Sequence, residues 1–304
     1  MAMTIGKCWR WPLLFAFTWM IALVAMHARA DIRVVDDSGQ TIVLKAAARR
    51  IISLAPHTTE MLFYAGAGDR IVGTVRYADF PEAARKIPRM GDSVLLDMER
   101  IVSLRPDLIV VWLHGNSENQ VTKLRALNIP IFYSEPRKLT DISDSLVRLG
   151  QLAGTEPVAR QAALDFTTHL DELRKRYSER SAVSLFYQVW KRPLLTINGG
   201  QIISDVIRLC GGRNIFANAR LLVPTVDIEA VVEANPEAIV TTQAETEGED
   251  AFDVWRKLAN LRATEQNNLI LLDSESISRH SPRILDGATL LCQALETVRA
   301  KRTK

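Results

Sequence analysis

The sequence predicts an α/β protein of two similar lobes, each a parallel-rich sheet covered by helices, joined by one long rigid helix. Short apolar strands alternate with helical stretches along the chain, the pattern of parallel sheets covered on both faces. A fourteen-residue segment recurs 130 positions later. Between the two copies runs an uninterrupted amphipathic stretch long enough to brace them.

The elements follow in order. Residues 1–30 hold Lys7, Arg10 and Arg29 and no acid, run through an apolar stretch from Trp11 to Met26, and end Ala28-Arg29-Ala30. That is the form of an export signal cleaved after Ala30, too short in its apolar part for a membrane span. Cys8 precedes the apolar stretch and leaves with the signal. Ile32 to Leu44 reads as a hairpin around Asp36-Asp37-Ser38-Gly39. Ile51 to Leu54 is a buried strand, Ala55-Pro56-His57 a loop, and Thr59 to Ala65 a helix stopped by Gly66. Strands follow at Ile71 to Val75, Leu108 to Trp112 and Ile131 to Tyr133, with helices around Asn119 to Leu127 and Asp141 to Ala153.

Residues 97–110 and 227–240 share six of fourteen positions, Asp, Glu, Val, Pro, Ile and Val. In each, an Asp N-cap opens a two-turn helix, Pro ends it, and a buried strand begins. The next strands also correspond, Ile129 to Tyr133 against Leu269 to Leu272. A repeat this long is not a solenoid and implies two Rossmann-like lobes. From Thr155 to about Ser181, Ala162, Phe166, Leu170, Leu173 and Tyr177 form one apolar stripe. The expected organisation is a signal at 1–30, an N-terminal lobe at 31–153, a bridging helix at 154–181 and a C-terminal lobe at 182–304.

Composition narrows the function. The chain is 47% apolar and 24% charged with 15 Gly and 12 Pro, which excludes disorder and collagen. Removing the signal leaves 38 − 3 = 35 basic against 35 acidic residues. A neutral chain without a basic block offers phosphate backbones nothing, so nucleic acid is excluded as a partner. Two cysteines remain, Cys210 and Cys292. In an oxidising compartment an even pair reads as a disulfide, with two buried free thiols as the alternative.

Catalytic templates are absent: there is no GxSxG elbow, no HExxH, no phosphate-binding glycine loop, and Gly66-Ala67-Gly68 lacks the third glycine of a dinucleotide fingerprint. No nucleophile stands at a plausible spacing from His57 or His280, so the chain reads as a binding protein with no catalytic cofactor or resident metal. Ligands of parallel α/β lobes sit outside the carboxyl ends of the strands. His57, Tyr77, Trp112, His114, Trp190 and the segment Ser276 to Ser281 all fall there. Flat aromatic surfaces with a polar handle suit a large, partly apolar ligand.

The runs Arg50 to Glu60, Tyr77-Ala78-Asp79-Phe80-Pro81, Glu99 to Val110, Leu209 to Phe216, Pro224 to Val240 and Ser281-Pro282-Arg283 leading to Cys292 resemble the periplasmic binding proteins of the helical-backbone class, and most of all its cobalamin-binding members. The resemblance implies a monomeric periplasmic receptor with little hinge closure, serving the permease dimer of an ABC importer. It places Tyr77, Ser276, Ile277, Ser278, Arg279 and His280 at the corrinoid, with Pro56, His57, Trp112, Trp190 and Pro224 as further contacts. It pairs Cys210 with Cys292 and assigns Glu99 and Glu229 to arginines of the permease. The last-strand loop lacks an aromatic pair found in the class, and His57 replaces a small residue. A histidine in the cleft keeps haem, with His57 or Tyr77 as axial ligand, or an iron siderophore as the alternative cargo.

Overall fold

The computed structural model describes residues 31–242 and 250–302. The expected export signal lies outside them. The hairpin forms as its turn dictates: β1 (Ile32–Val35) and β2 (Thr41–Leu44) pair antiparallel, with Ile32 opposite Leu44. The Asp36 carboxylate closes the turn by accepting from the backbone N–H groups of Ser38 and Gln40, each at 2.9 Å.

The strands β3 (Ile51–Ser53), β4 (Ile71–Gly73), β5 (Leu108–Trp112) and β6 (Ile131–Ser134) make a parallel sheet in the order β4-β3-β5-β6. Its helices are α1 (Pro56–Tyr64), α2 (Met98–Ser103), α3 (Glu118–Arg125) and α4 (Leu139–Ala153). The start of α1 corrects the sequence reading. Pro56 occupies the first turn, where its fixed φ and missing N–H fit the helix, so His57 is helical and not in a loop.

Next comes α5 (Glu156–Tyr177), 22 residues and about 33 Å long at 1.5 Å per residue. It ends at Tyr177, short of the expected Ser181. Its buried stripe is Ala159, Ala163, Phe166, Leu170, Leu173 and Tyr177, and the expected Ala162 is half-buried and packs against the same core. The helix lies close against α4 because Gly150 has no Cβ, and one built there would stand 2.3 Å from the Ala159 Cβ.

The second sheet holds β7 (Val183–Gln188), β8 (Gly212–Asn214), β9 (Ala238–Thr242) and β10 (Leu269–Leu272) in the order β10-β9-β7-β8, again parallel. Around it stand α6 (Ile202–Leu209), α7 (Ile228–Ala234), the short α8 (Asp253–Arg256), α9 (Arg262–Glu265) and α10 (Ser274–Ile277), and the long α11 (Ile284–Lys301). Numbered within its own sheet, each set of strands has the same order, 2-1-3-4. Segments 97–110 and 227–240 occupy the same place in each: α2 leads into β5 and α7 into β9, both third strands. The caps differ. The Asp97 carboxylate accepts from the Arg100 N–H at 2.9 Å, whereas the Asp227 side chain makes no capping bond.

Strand alternation divides the core. Ile51, Leu108 and Val110 face a cluster that continues through α4 and α5 to Val183 and Leu185 and on to Val206 and Leu291. Ile52, Ile109 and Val111, the intervening residues, face a separate cluster, and Phe186 and Ile239 a third. One continuous apolar body thus joins the two sheets on the side of the long helix. Cys210, at the end of α6, is bonded to Cys292 of α11 across 82 residues, and both are fully buried.

Replacing both cysteines by serine should lower stability by about 4 kcal/mol on the loop-entropy model, read as a fall in the urea midpoint. An unchanged midpoint would show that the surrounding core alone fixes α6 on α11.

Candidate functional site

The carboxyl ends of the two sheets face one opening, and each loop leaving a strand there adds part of its wall. Leu54 to His57 follow β3, Val75 to Tyr77 follow β4, Trp112 ends β5, Val189 and Trp190 follow β7, Thr242 ends β9, and Ser274, Glu275 and Ser278 to His280 follow β10. The opening has two chambers of about 380 and 730 Å³. The smaller holds Pro56, His57, Tyr77, Asp92 and Arg279; the larger is walled by Tyr187, Trp190, Ile197 and Leu221 to Val223. Trp112, Ser278 and His280 border both.

The dividing wall is a ring cluster. The His57 ring meets Trp112 edge-on at 5.2 Å and His280 at 5.3 Å, and Trp112 lies 5.7 Å from His280. His57 Nε2, Trp112 Nε1 and His280 Nδ1 are buried without a hydrogen-bond partner. Burial holds the His57 imidazole well below its ordinary range, helped by nearby His280 and Arg279, and burial lowers His280 to about 4. Both are therefore neutral at pH 7, each with a nitrogen lone pair.

Behind the wall a buried acid ties the two halves together. Glu60, on α1, accepts from the Ser281 hydroxyl at 2.5 Å and from the Arg283 guanidinium at 3.1 Å, with Arg279 at 3.8 Å. Desolvation raises its pKa against the opposing pull of Ser281, Arg283 and Arg279. The same Arg283 stacks over the Phe80 ring at 4.1 Å. A second tie runs from the Leu139 N–H to the Asp205 carboxylate at 2.9 Å.

Of the residues expected at the ligand, Pro56, His57, Tyr77, Trp112, Trp190, Ser278, Arg279 and His280 line the chambers. Tyr77 is exposed and held at φ 65, a conformation rare for a bulky residue that projects its ring from the rim. Three expected contacts line neither chamber. Ile277 is buried against Gly287, where a Cβ would approach within 2.7 Å. Ser276 is buried with its hydroxyl donating to the Asp273 carbonyl, and Pro224 is buried with its carbonyl accepting from the Thr196 N–H. Glu99 and Glu229 are exposed on the first turns of α2 and α7. His114 is exposed beside Glu135 at 3.3 Å.

Sequence reasoning missed Glu60, whose hydrogen-bond partners Ser281 and Arg283 lie more than 220 residues away, and Tyr187, on the buried strand β7. Burial pushes the Tyr187 hydroxyl up, opposed by a hydrogen bond with Ser278. Among the described residues no group of three or more His, Cys, Asp or Glu is placed to hold a metal.

A family model for periplasmic binding proteins matches residues 51–276. A vitamin B12-binding protein of Yersinia pestis is 38% identical over 252 residues, 83% of this chain and 88% of that one. One of Vibrio campbellii is 34% identical over 255 residues, 84% of this chain and 92% of that one. The crystal structure of the periplasmic vitamin B12-binding protein of Vibrio cholerae superposes with a TM-score of 0.77 at 34% identity, covering 83% of this chain and 98% of that one.

The buried imidazoles have a stability signature. As pH falls below 6.5 the unfolded chain protonates at position 280 while the folded one resists until about 4, so stability is lost across that window and levels off below it. By pH 4.5 the loss from His280 is roughly 2 to 3 kcal/mol. Glu60 works oppositely: its raised pKa makes the folded state take up its proton first, so its contribution improves as pH falls toward 4.5. Urea midpoints from pH 7 to 4.5 should therefore fall less in His280→Phe than in the wild type; equal slopes would contradict the assignment.

Proposed function

The chain belongs to the periplasmic binding protein family, and from that premise we propose that it is a non-enzymatic receptor that captures cobalamin or a related corrinoid and delivers it to the permease dimer of an ATP-driven importer. The observation that carries this reading is the two-chambered opening between facing strand ends, apolar and walled by aromatic rings, in a chain 34–38% identical to vitamin B12-binding proteins. Wide apolar area plus a few polar groups at the rim is what a large macrocycle with an amide periphery requires. Binding and release make and break no covalent bond. Tyr77, Pro56, His57, Trp112, Trp190, Ser278, Arg279 and His280 are the proposed contacts, and residues 1–30 the export signal, cleaved after Ala30. Haem or an iron siderophore has less support, since the more similar relatives carry the vitamin B12 name.

Glu99 and Glu229 are the proposed permease contacts. They occupy equivalent places in a repeated topology, which lets a monomer offer a pseudo-two-fold pair of acids to a two-fold partner. Each also sits at a helix N-terminus, where a carboxylate is favoured by about 0.3 to 1 kcal/mol.

Titrating the mature protein with cyanocobalamin should give one-to-one binding, weakened about tenfold in Trp112→Ala by loss of ring contact. No binding at micromolar protein would sink the reading. The double variant Glu99→Ala, Glu229→Ala should bind corrinoid unchanged but lose affinity for the permease. An undiminished complex would remove the docking role.

A further inference from the structure

Of the three buried glutamates among the described residues, two are met by arginine: Glu60 by Arg283 at 3.1 Å, and Glu237 by Arg302 at 2.7 Å and Arg262 at 3.2 Å. Glu135 is the exception. It is 7% exposed, directly follows β6 and lines the larger chamber. Its Oε2 accepts from the His114 backbone N–H at 3.2 Å, with the ring Nδ1 of His114 3.3 Å away. Its Oε1 has no hydrogen-bond partner among the described residues, and it is not sealed in as the three ring nitrogens of the dividing wall are. A carboxylate taken out of water without a paired cation is unfavourable until donors complete it.

The fold holds this acid from behind. The turn of the hairpin grips the end of β6: the Asp36 carboxylate accepts from the Tyr133 N–H at 3.1 Å, and the Asp37 N–H donates to the Tyr133 carbonyl at 3.0 Å. The Asp37 carboxylate accepts from the Glu135 N–H at 2.5 Å and is itself held by Arg148 at 2.6 Å. The backbone of Glu135 is thus anchored to the hairpin while its side chain meets the chamber. Arg137, a cation on the same wall, is exposed and forms no ion pair with Glu135.

We propose that Glu135 determines specificity at the larger chamber, accepting a hydrogen bond from a primary amide of the corrinoid and rejecting a carboxylate in the same position. That role presupposes a corrinoid ligand and adds which periphery it must carry. An amide N–H is a neutral donor and completes Oε1. A ligand carboxylate has no donor to offer, and it sets like charges together in a chamber walled by Tyr187, Trp190, Ile197 and Leu222, where apolar surroundings strengthen the repulsion. Selectivity of this kind comes from the rejected partner as much as from the accepted one.

The test is calorimetric titration of the mature protein, near neutral pH, with cyanocobalamin and with each separated monocarboxylic acid made from it by hydrolysing one side-chain amide. The wild type should bind cyanocobalamin, and one acid, the one whose carboxylate replaces the amide at Glu135, should bind at least about tenfold more weakly while the others stay close to the parent. Glu135→Gln supplies a donor and removes the charge. It should bring that same acid to within about threefold of cyanocobalamin, and weaken cyanocobalamin only several-fold because the glutamine carbonyl still accepts. Glu135→Ala, which removes the charge without adding a donor, should also lessen the penalty. Equal affinity of the wild type for the parent and every acid, or a penalty that persists in both variants, would overturn the specificity role while leaving the corrinoid reading standing. A wild type that binds none of these compounds overturns both.

Discussion

A carboxylate taken out of water must be compensated where it lies, and in this molecule the compensation for Glu60 comes from the other half of the chain. The acid sits on α1, and the Ser281 hydroxyl and Arg283 guanidinium that satisfy it arrive from the segment after α10. Breaking such a buried pair from one side costs about 3 to 5 kcal/mol, so the segment carrying Arg279 and His280 is held against the first turn of α1, where His57 sits. The ring cluster and the boundary between the chambers follow from that single attachment.

The long helix supplies the other half of the constraint. One apolar cluster runs from the first sheet through α4 and α5 to the second, so moving the sheets apart would expose surface worth about 25 cal/mol per Å². The core joined on the helix side and Glu60 pinned at the opening both restrain the strand ends.

Much of this was written into local sequence. The repeat at 97–110 and 227–240 announced two sheets of one topology, because an Asp-led helix, a Pro and a buried strand recur in the same order. Rings at strand ends announced the walls, since parallel topology places those ends on one side. The rest depends on contacts that no window reveals. The neighbouring residues Thr58 and Thr59 give no sign that Glu60 will meet Arg283. Ser276 and Ile277 resemble Ser278 in sequence position, yet the short helix α10 turns the first two inward and the third to the opening. The first turn of α1 was obscured because Pro56 marks a loop and a helix start equally well.

The claim that Glu60 and the shared core fix the opening is tested most directly by pulsed electron resonance between spin labels on Val94→Cys and Leu290→Cys, exposed positions on the two halves away from the chamber walls. The account predicts one narrow distance distribution, shifted by no more than about 1 Å when cyanocobalamin is added and broadened by Glu60→Ala. A broad distribution in the unliganded protein, or closure of several ångströms on loading, would contradict it.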